Sequence, residues 1–242
     1  MNCHCCKGQY QSVYENTFRC VKCKHIYRAY KGDEVDYHKN QYRNIERRDV
    51  SEIDSEGKIQ PLFHEKRKTI CEKRINFVSQ YIQTNDSYLD IGAGAGTYIN
   101  LLRDHVATIE CTELDASLIT ECERLGFQVH KESFLQLEFK NNYDIVSAWH
   151  VLEHVEDIDS FLKKCSEITN KYCIIEIPLL RSLSGTGRVR KLIDPQDGVY
   201  DGHAHYFTKE SFVSIADKYF DVVEIREGVQ SPALFAVMEP KT

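Results

Sequence analysis

Two stretches of this sequence could do chemistry by residue type and spacing alone. Near the front, Cys3 and Cys6 form one C-x-x-C pair, and Cys20 and Cys23 form another after thirteen intervening residues. Each pair lets a tight turn aim two thiolates at one ion. Two such turns complete a tetrahedral zinc site with no open position, which makes the metal structural rather than catalytic. Gly8, two residues past Cys6, is expected to supply the backbone freedom of such a turn, and Cys5 and His25 are the substitute ligands. The second stretch is "YLDIGAGAGTYI", residues 88–99, where Gly92, Gly94 and Gly96 follow an apolar run that holds an acid, Asp90. Glycines in a strand-to-helix turn let a ligand approach the backbone closely. Thr97 stands where a dinucleotide fingerprint would put its last glycine, which disfavours NAD and FAD. An acid about twenty residues beyond such a loop can accept from two ribose hydroxyls. Glu113 sits at that distance; Asp115 is the alternate, although its place just ahead of "ASLITECERL" also suits a helix N-cap.

These residues need a scaffold, and the rest of the chain supplies one. Apolar runs at 88–91, 107–112, 127–130, 144–149, 172–177, 222–226 and 234–238 read as strands, with helical segments near 97–105, 116–125, 158–169 and 209–219 between several of them. Strands alternating with helices predict an α/β, Rossmann-like, doubly wound sheet of seven strands. Only "EGVQSPA" separates the last two, too short for a helical crossover, so the last strand is predicted antiparallel. The domain reading is a zinc ribbon at 1–32, a linker and amphipathic helix forming a lid at 33–75, and the main domain at 76–242. Cys71, Cys111, Cys122, Cys165 and Cys173 lie in apolar segments and are expected in the core.

The net charge of −6 divides unevenly: residues 1–75 carry +5 and the remainder −11. That is far below the dense basic stripe of a dedicated nucleic-acid binder, so nucleic acid is the less expected partner. "MNCHCCKGQY" lacks the start of a secretory signal and no run approaches the length of a membrane span, so a cytoplasmic enzyme is expected.

The glycine stretch, "IECTELDASL", "YDIVSAWHVLEHVEDIDSFL" and the antiparallel final strand together resemble a class I S-adenosylmethionine-dependent methyltransferase over roughly residues 76–242. The resemblance implies S-adenosylmethionine as cofactor, with Asp90 near its methionine end, Gly92 and Gly94 facing it on the loop that Gly96 completes, and Glu113 on the ribose. Ser133 and Phe134 fall where the family places adenine contacts, and Trp149 and His150 fall beside the methionine moiety. Zinc ribbons in front of this fold are familiar from methyltransferases of sugars and other small intermediates, and from certain ribosomal RNA guanine methyltransferases. His150, Glu153 and His154 share one face if helical, and resemble the E-x-x-E-H stretch of ubiquinone-pathway O-methyltransferases, which bind a divalent metal; the first position here is His150. "GHAHYFT" resembles the G-H-x-x-F-F-T stretch of small-molecule members, which puts His203 toward the substrate.

From the residues themselves, a hydroxyl acceptor needs a base, and histidine is the side chain tuned for that near neutral pH. His203, then His150 and His154, are the catalytic candidates. The long connection "PLLRSLSGTGRVRKLIDPQDGVYDGHAHYFT" reads as a substrate lid, with Arg181, Arg188, Arg190 and Lys191 available to a phosphate or carboxylate. The expected function is O-methylation of a small anionic or sugar-like intermediate. An RNA methyltransferase and a non-catalytic cofactor-binding partner are the rivals.

Overall fold

The computed structural model describes residues 1–14, 16–29, 61–180, 203–227 and 233–241. The linker read at 33–60 and the lid cations Arg181, Arg188, Arg190 and Lys191 lie outside these described residues. The chain forms two compact units, one of residues 1–34, 149–167 and 173–242, the other of residues 35–148 and 168–172.

All seven strands expected of the main sheet are present: β4 (Ser87–Ile91), β5 (Thr108–Thr112), β6 (Gln128–His130), β7 (Tyr143–Trp149), β8 (Thr169–Pro178), β10 (Phe220–Glu227) and β11 (Ala233–Pro240). Their order is β10-β11-β8-β7-β4-β5-β6. β4 runs parallel to β5 and β7, and β5 parallel to β6. β11 is antiparallel to β10, as the short connection between them requires, and it is also antiparallel to β8. Ile145 and Val146 are both fully buried although they point to opposite faces of β7, so the sheet is covered on both sides. Each such side chain contributes about 1.5–3 kcal/mol of hydrophobic stabilisation. The five cysteines assigned to the core are buried.

Helix α1 (Pro61–Val78) opens on a proline, whose fixed φ and missing N–H suit a first helical turn. Its inward face holds Cys71, Ile75, Phe77 and Val78 but also Arg74, only 4% exposed, so the helix is less cleanly amphipathic than its spacing suggests. α2 (Thr97–Leu102) continues into a 3₁₀ turn at Arg103–His105; α3 (Ala116–Arg124), α4 (Ile158–Ile168) and α5 (Lys209–Ala216) occupy the other expected positions. No helix among the described residues is long and apolar enough to cross a membrane.

A second, smaller sheet is built by the front segment: β1 (Tyr10–Tyr14), β2 (Thr17–Cys20) and β3 (Ile26–Arg28), all antiparallel. Its fourth strand, β9 (His205–Tyr206), comes from the far end of the chain and pairs Ile26 with Tyr206 and Tyr27 with His205. Two residues carry no readable alternation, so β9 was invisible in the sequence.

Candidate functional site

The glycine loop leaves β4 through a hydrogen-bonded turn. Gly92 N–H donates to the carbonyl and hydroxyl of Thr112, and Ala93 N–H donates to the same carbonyl. Gly94 lies at φ +59°, a left-handed conformation that strains any side chain. The nearest atom to a Cβ built there would be Arg67 Nη2 of α1, 3.9 Å away. Gly96, at φ +76°, caps α2, and a Cβ there would sit 3.1 Å from Cys122 Sγ. Positive φ at both positions, joined by close packing at Gly96, explains the repeated glycine.

Glu113 comes to this loop as the spacing requires, but with more to do than the spacing reveals. Its Oε2 accepts from Gly94 N at 2.9 Å, and its Oε1 accepts from Leu114 N at 2.7 Å and Asp115 N at 2.9 Å. Burial raises its carboxyl above the ordinary range, against the pull of these three amides. Asp115 is the N-cap of α3, accepting from Ser117 N and Leu118 N. Asp90 is buried, and its Oδ1 accepts from the Ser147 hydroxyl at the facing position of β7. Ser133 opens the 3₁₀ turn Phe134–Gln136, where Phe134 is buried and packs 5.9 Å from Phe139.

In the other unit, a group of titratable side chains gathers around the end of β7. Trp149 is the buried last residue of that strand. His150 follows at φ +58°, an uncommon conformation for histidine that marks a functional candidate. Its Nδ1 meets Glu153 Oε1 at 3.0 Å and its Nε2 meets Glu176 Oε1 at 3.1 Å. Burial alone would lower the imidazole, but the two carboxylates raise it to about 9. Glu153 is fully buried; burial pushes its carboxyl up, and His150, with His154 and His203 beyond it, brings it to about 2. Its Oε2 has no hydrogen-bond partner among the described residues. His154 and His203 stand edge to face, ring centroids 4.7 Å apart. Glu153, His154 and His203 each offer one ligand atom, all within 4.8 Å of one another. Two imidazoles and a carboxylate suit a divalent transition metal. His150 is committed to two carboxylates, so the third donor of any such set is His203. Glu176 was missed in the sequence, although an acid inside the apolar run "CIIEIP" is the same kind of signal as Asp90 in its own run.

The cysteine pairs form two matching turns. Lys7 and Lys24, each the residue after the second cysteine, have φ +58° and +63°, and each donates its N–H to the first cysteine's carbonyl. The left-handed residue is therefore Lys7 and not Gly8. Gly8 is needed for space, because a Cβ there would lie 3.1–3.2 Å from Lys22 and from the sulfurs of Cys20 and Cys6. Cys3 Sγ lies 3.6 Å from Cys23 Sγ, and Cys6 Sγ lies 3.5 Å from Cys20 Sγ. A tetrahedron with zinc–sulfur bonds of about 2.3 Å has edges of about 3.8 Å, so the four thiols fit that ion. Cys5 and His25 also come near Cys3. His25, however, uses Nδ1 for the Tyr10 hydroxyl and Nε2 for His205, so the four cysteines are the better set.

A family model described as a methyltransferase domain matches residues 63–224, and the chain belongs to that family. No curated protein matches it in sequence. Among solved structures, PH0226 from Pyrococcus horikoshii OT3 is 15% identical, with 84% of this chain and 99% of that one aligned at a TM-score of 0.64. Magnesium protoporphyrin IX methyltransferase (ChlM) from Synechocystis PCC 6803, with bound SAH, is 14% identical over 84% and 97% of the two chains, TM-score 0.60. N-methyltransferase NodS from Bradyrhizobium japonicum WM9, also with SAH, is 16% identical over 84% and 100%, TM-score 0.57. These identities establish a common fold. Family and fold together make this chain an S-adenosylmethionine-dependent methyltransferase.

Proposed function

We propose that the enzyme methylates a hydroxyl of a small, anionic or sugar-like biosynthetic intermediate. The observation that carries this reading is the buried Glu153 carboxylate gathered with His154 and His203, a group suited to taking a proton from an acceptor. The cofactor assignment rests on Glu113, Gly92, Gly94 and Gly96 for ribose and loop contacts, Asp90 and Trp149 toward the methionine end, and Ser133 and Phe134 toward adenine. Arg67, close to Gly94, is added as a partner for the cofactor's carboxylate. A zinc ion held by Cys3, Cys6, Cys20 and Cys23 stabilises the front ribbon, residues 1–32.

Transfer is an in-line displacement. The acceptor oxygen attacks the methyl carbon, the carbon–sulfur bond breaks, and sulfur leaves as a neutral thioether. The hydroxyl proton passes to His203, whose ring stands edge to face with His154 and which offers a nitrogen within 4.8 Å of a Glu153 carboxylate oxygen, while His150 clamps the Glu153 and Glu176 carboxylates in place. If a divalent ion were held by Glu153, His154 and His203, it would instead supply Lewis-acid polarisation of the hydroxyl, and His203 would serve as a ligand and not as the proton acceptor. The small-acceptor reading draws on the sequence of the lid and on one structural neighbour named for a porphyrin substrate. His203→Ala should lower turnover at least a hundredfold with SAH affinity within threefold of wild type. Unaltered turnover would remove His203 from the acceptor chemistry.

A further inference from the structure

The front ribbon is joined to the acceptor-side segment at several points. β9 is the fourth strand of its sheet. Arg28 N–H donates to the Ala204 carbonyl at 2.8 Å, while Ala204 N–H donates to the Glu153 carbonyl at 2.8 Å. The Thr208 hydroxyl donates to the Cys23 carbonyl at 2.9 Å, two residues from the strand's end. The residue directly after His203 is thus pinned between the ribbon and the backbone of Glu153.

At the centre of this junction His205 is fully buried, stacked on His25 and Tyr27 with ring centroids 5.1 Å away in both cases. Its hydrogen bonds admit one proton arrangement. Glu156 O can only accept, so His205 Nε2 carries the hydrogen of the 3.1 Å contact between them. Nδ1 of the neutral ring is then an acceptor, and His25 Nε2–H donates to it at 3.2 Å. His25 Nδ1 accepts in turn from the Tyr10 hydroxyl at 2.6 Å. A directed chain therefore runs from β1 of the ribbon, through two buried imidazoles, to the backbone just after the Glu153–His154 turn.

We propose that His205 is a positioning residue through which the four-cysteine ribbon fixes His203 against Glu153, making the ribbon a structural half of the acceptor site rather than an appendage that captures a macromolecule. This rests on the reading that His203 and Glu153 serve the acceptor. A pair of buried imidazoles costs more to bury than an apolar contact, and a directed hydrogen-bond chain defines one arrangement of the 203–208 segment where apolar packing would tolerate several.

The test is imidazole NMR on the ¹⁵N-labelled protein bound to SAH, with amide exchange. In wild type, His25 and His205 should both appear as Nε2–H tautomers. His205→Phe keeps a ring but removes both hydrogen bonds. It should shift and broaden the His203 signals and cut Ala204 amide protection at least tenfold, with SAH affinity within twofold and zinc content unchanged. His205→Asn, whose Oδ1 can still accept from His25, should restore most of that protection. Should His205→Phe fail to fold, Tyr10→Phe removes the head of the chain without touching β9 and should cut the protection about threefold. A wild-type His25 in the Nδ1–H form overturns the proposal, as do His203 signals and Ala204 protection that neither variant alters. None of these readouts uses an acceptor, so failure here leaves the His203→Ala test of the acceptor reading independent.

Discussion

Replacing Glu113 with alanine should damage cofactor binding and the empty loop by separate amounts. The carboxylate offers about four acceptor sites, and three are engaged by Gly94, Leu114 and Asp115 amides. Gripping both ribose hydroxyls therefore requires one amide, most simply that of Gly94, to let go as the cofactor arrives. Each hydrogen bond to a charged acceptor contributes about 1.5–3 kcal/mol, so two ribose bonds gained and one amide bond released leave about 1.5–3 kcal/mol, or about tenfold to a hundredfold in affinity. The three amides belong to half-buried residues, and orphaning them should cost the apo protein about 1–3 kcal/mol, about 2–12 °C in Tm. Calorimetry with SAH and with its 2′,3′-dideoxy analogue separates the two effects. Wild type should bind the analogue about tenfold to a hundredfold more weakly than SAH, whereas Glu113→Ala should bind the two alike. An unchanged SAH affinity in the variant, or an undiminished penalty for the missing hydroxyls, would refute the assignment of Glu113 to the ribose.

Asp115→Ala should behave in the opposite way: loss of the α3 N-cap costs about 1 kcal/mol, about 2–4 °C in Tm, with SAH affinity unchanged by calorimetry. A large loss of affinity would return Asp115 to the ribose. Replacing both Cys20 and Cys23 with serine should abolish bound zinc by elemental mass spectrometry and expose the amides of residues 1–29 to exchange. A wild-type protein that is well folded and free of metal would end the zinc assignment.

The main sheet was legible because alternating strands and helices leave few topologies, and because one seven-residue connection forced the antiparallel end. The cofactor loop was legible because glycine at positive φ is a local demand, written into Gly94 and Gly96 themselves. Less visible was anything that depends on partners far apart in sequence. Glu176 meets His150 across 26 residues, and His205 meets His25 across 180. His205, two residues past the substrate candidate His203, is the buried one of the two. The conformation given to Gly8 falls on Lys7 instead, since a two-cysteine turn fixes where the backbone must reverse while the packing of sulfurs decides where a side chain has no room.

The central claim is that the methyl group goes to oxygen on a small acceptor. It is tested most directly by incubating the purified enzyme with S-adenosylmethionine labelled with carbon-13 in the methyl group, against phosphorylated sugars, hydroxy acids and total RNA, and by reading the product by NMR. A methoxy carbon signal in a low-mass product, dependent on His203, is expected. Label found only in RNA, or on nitrogen or carbon of the small product, would contradict it.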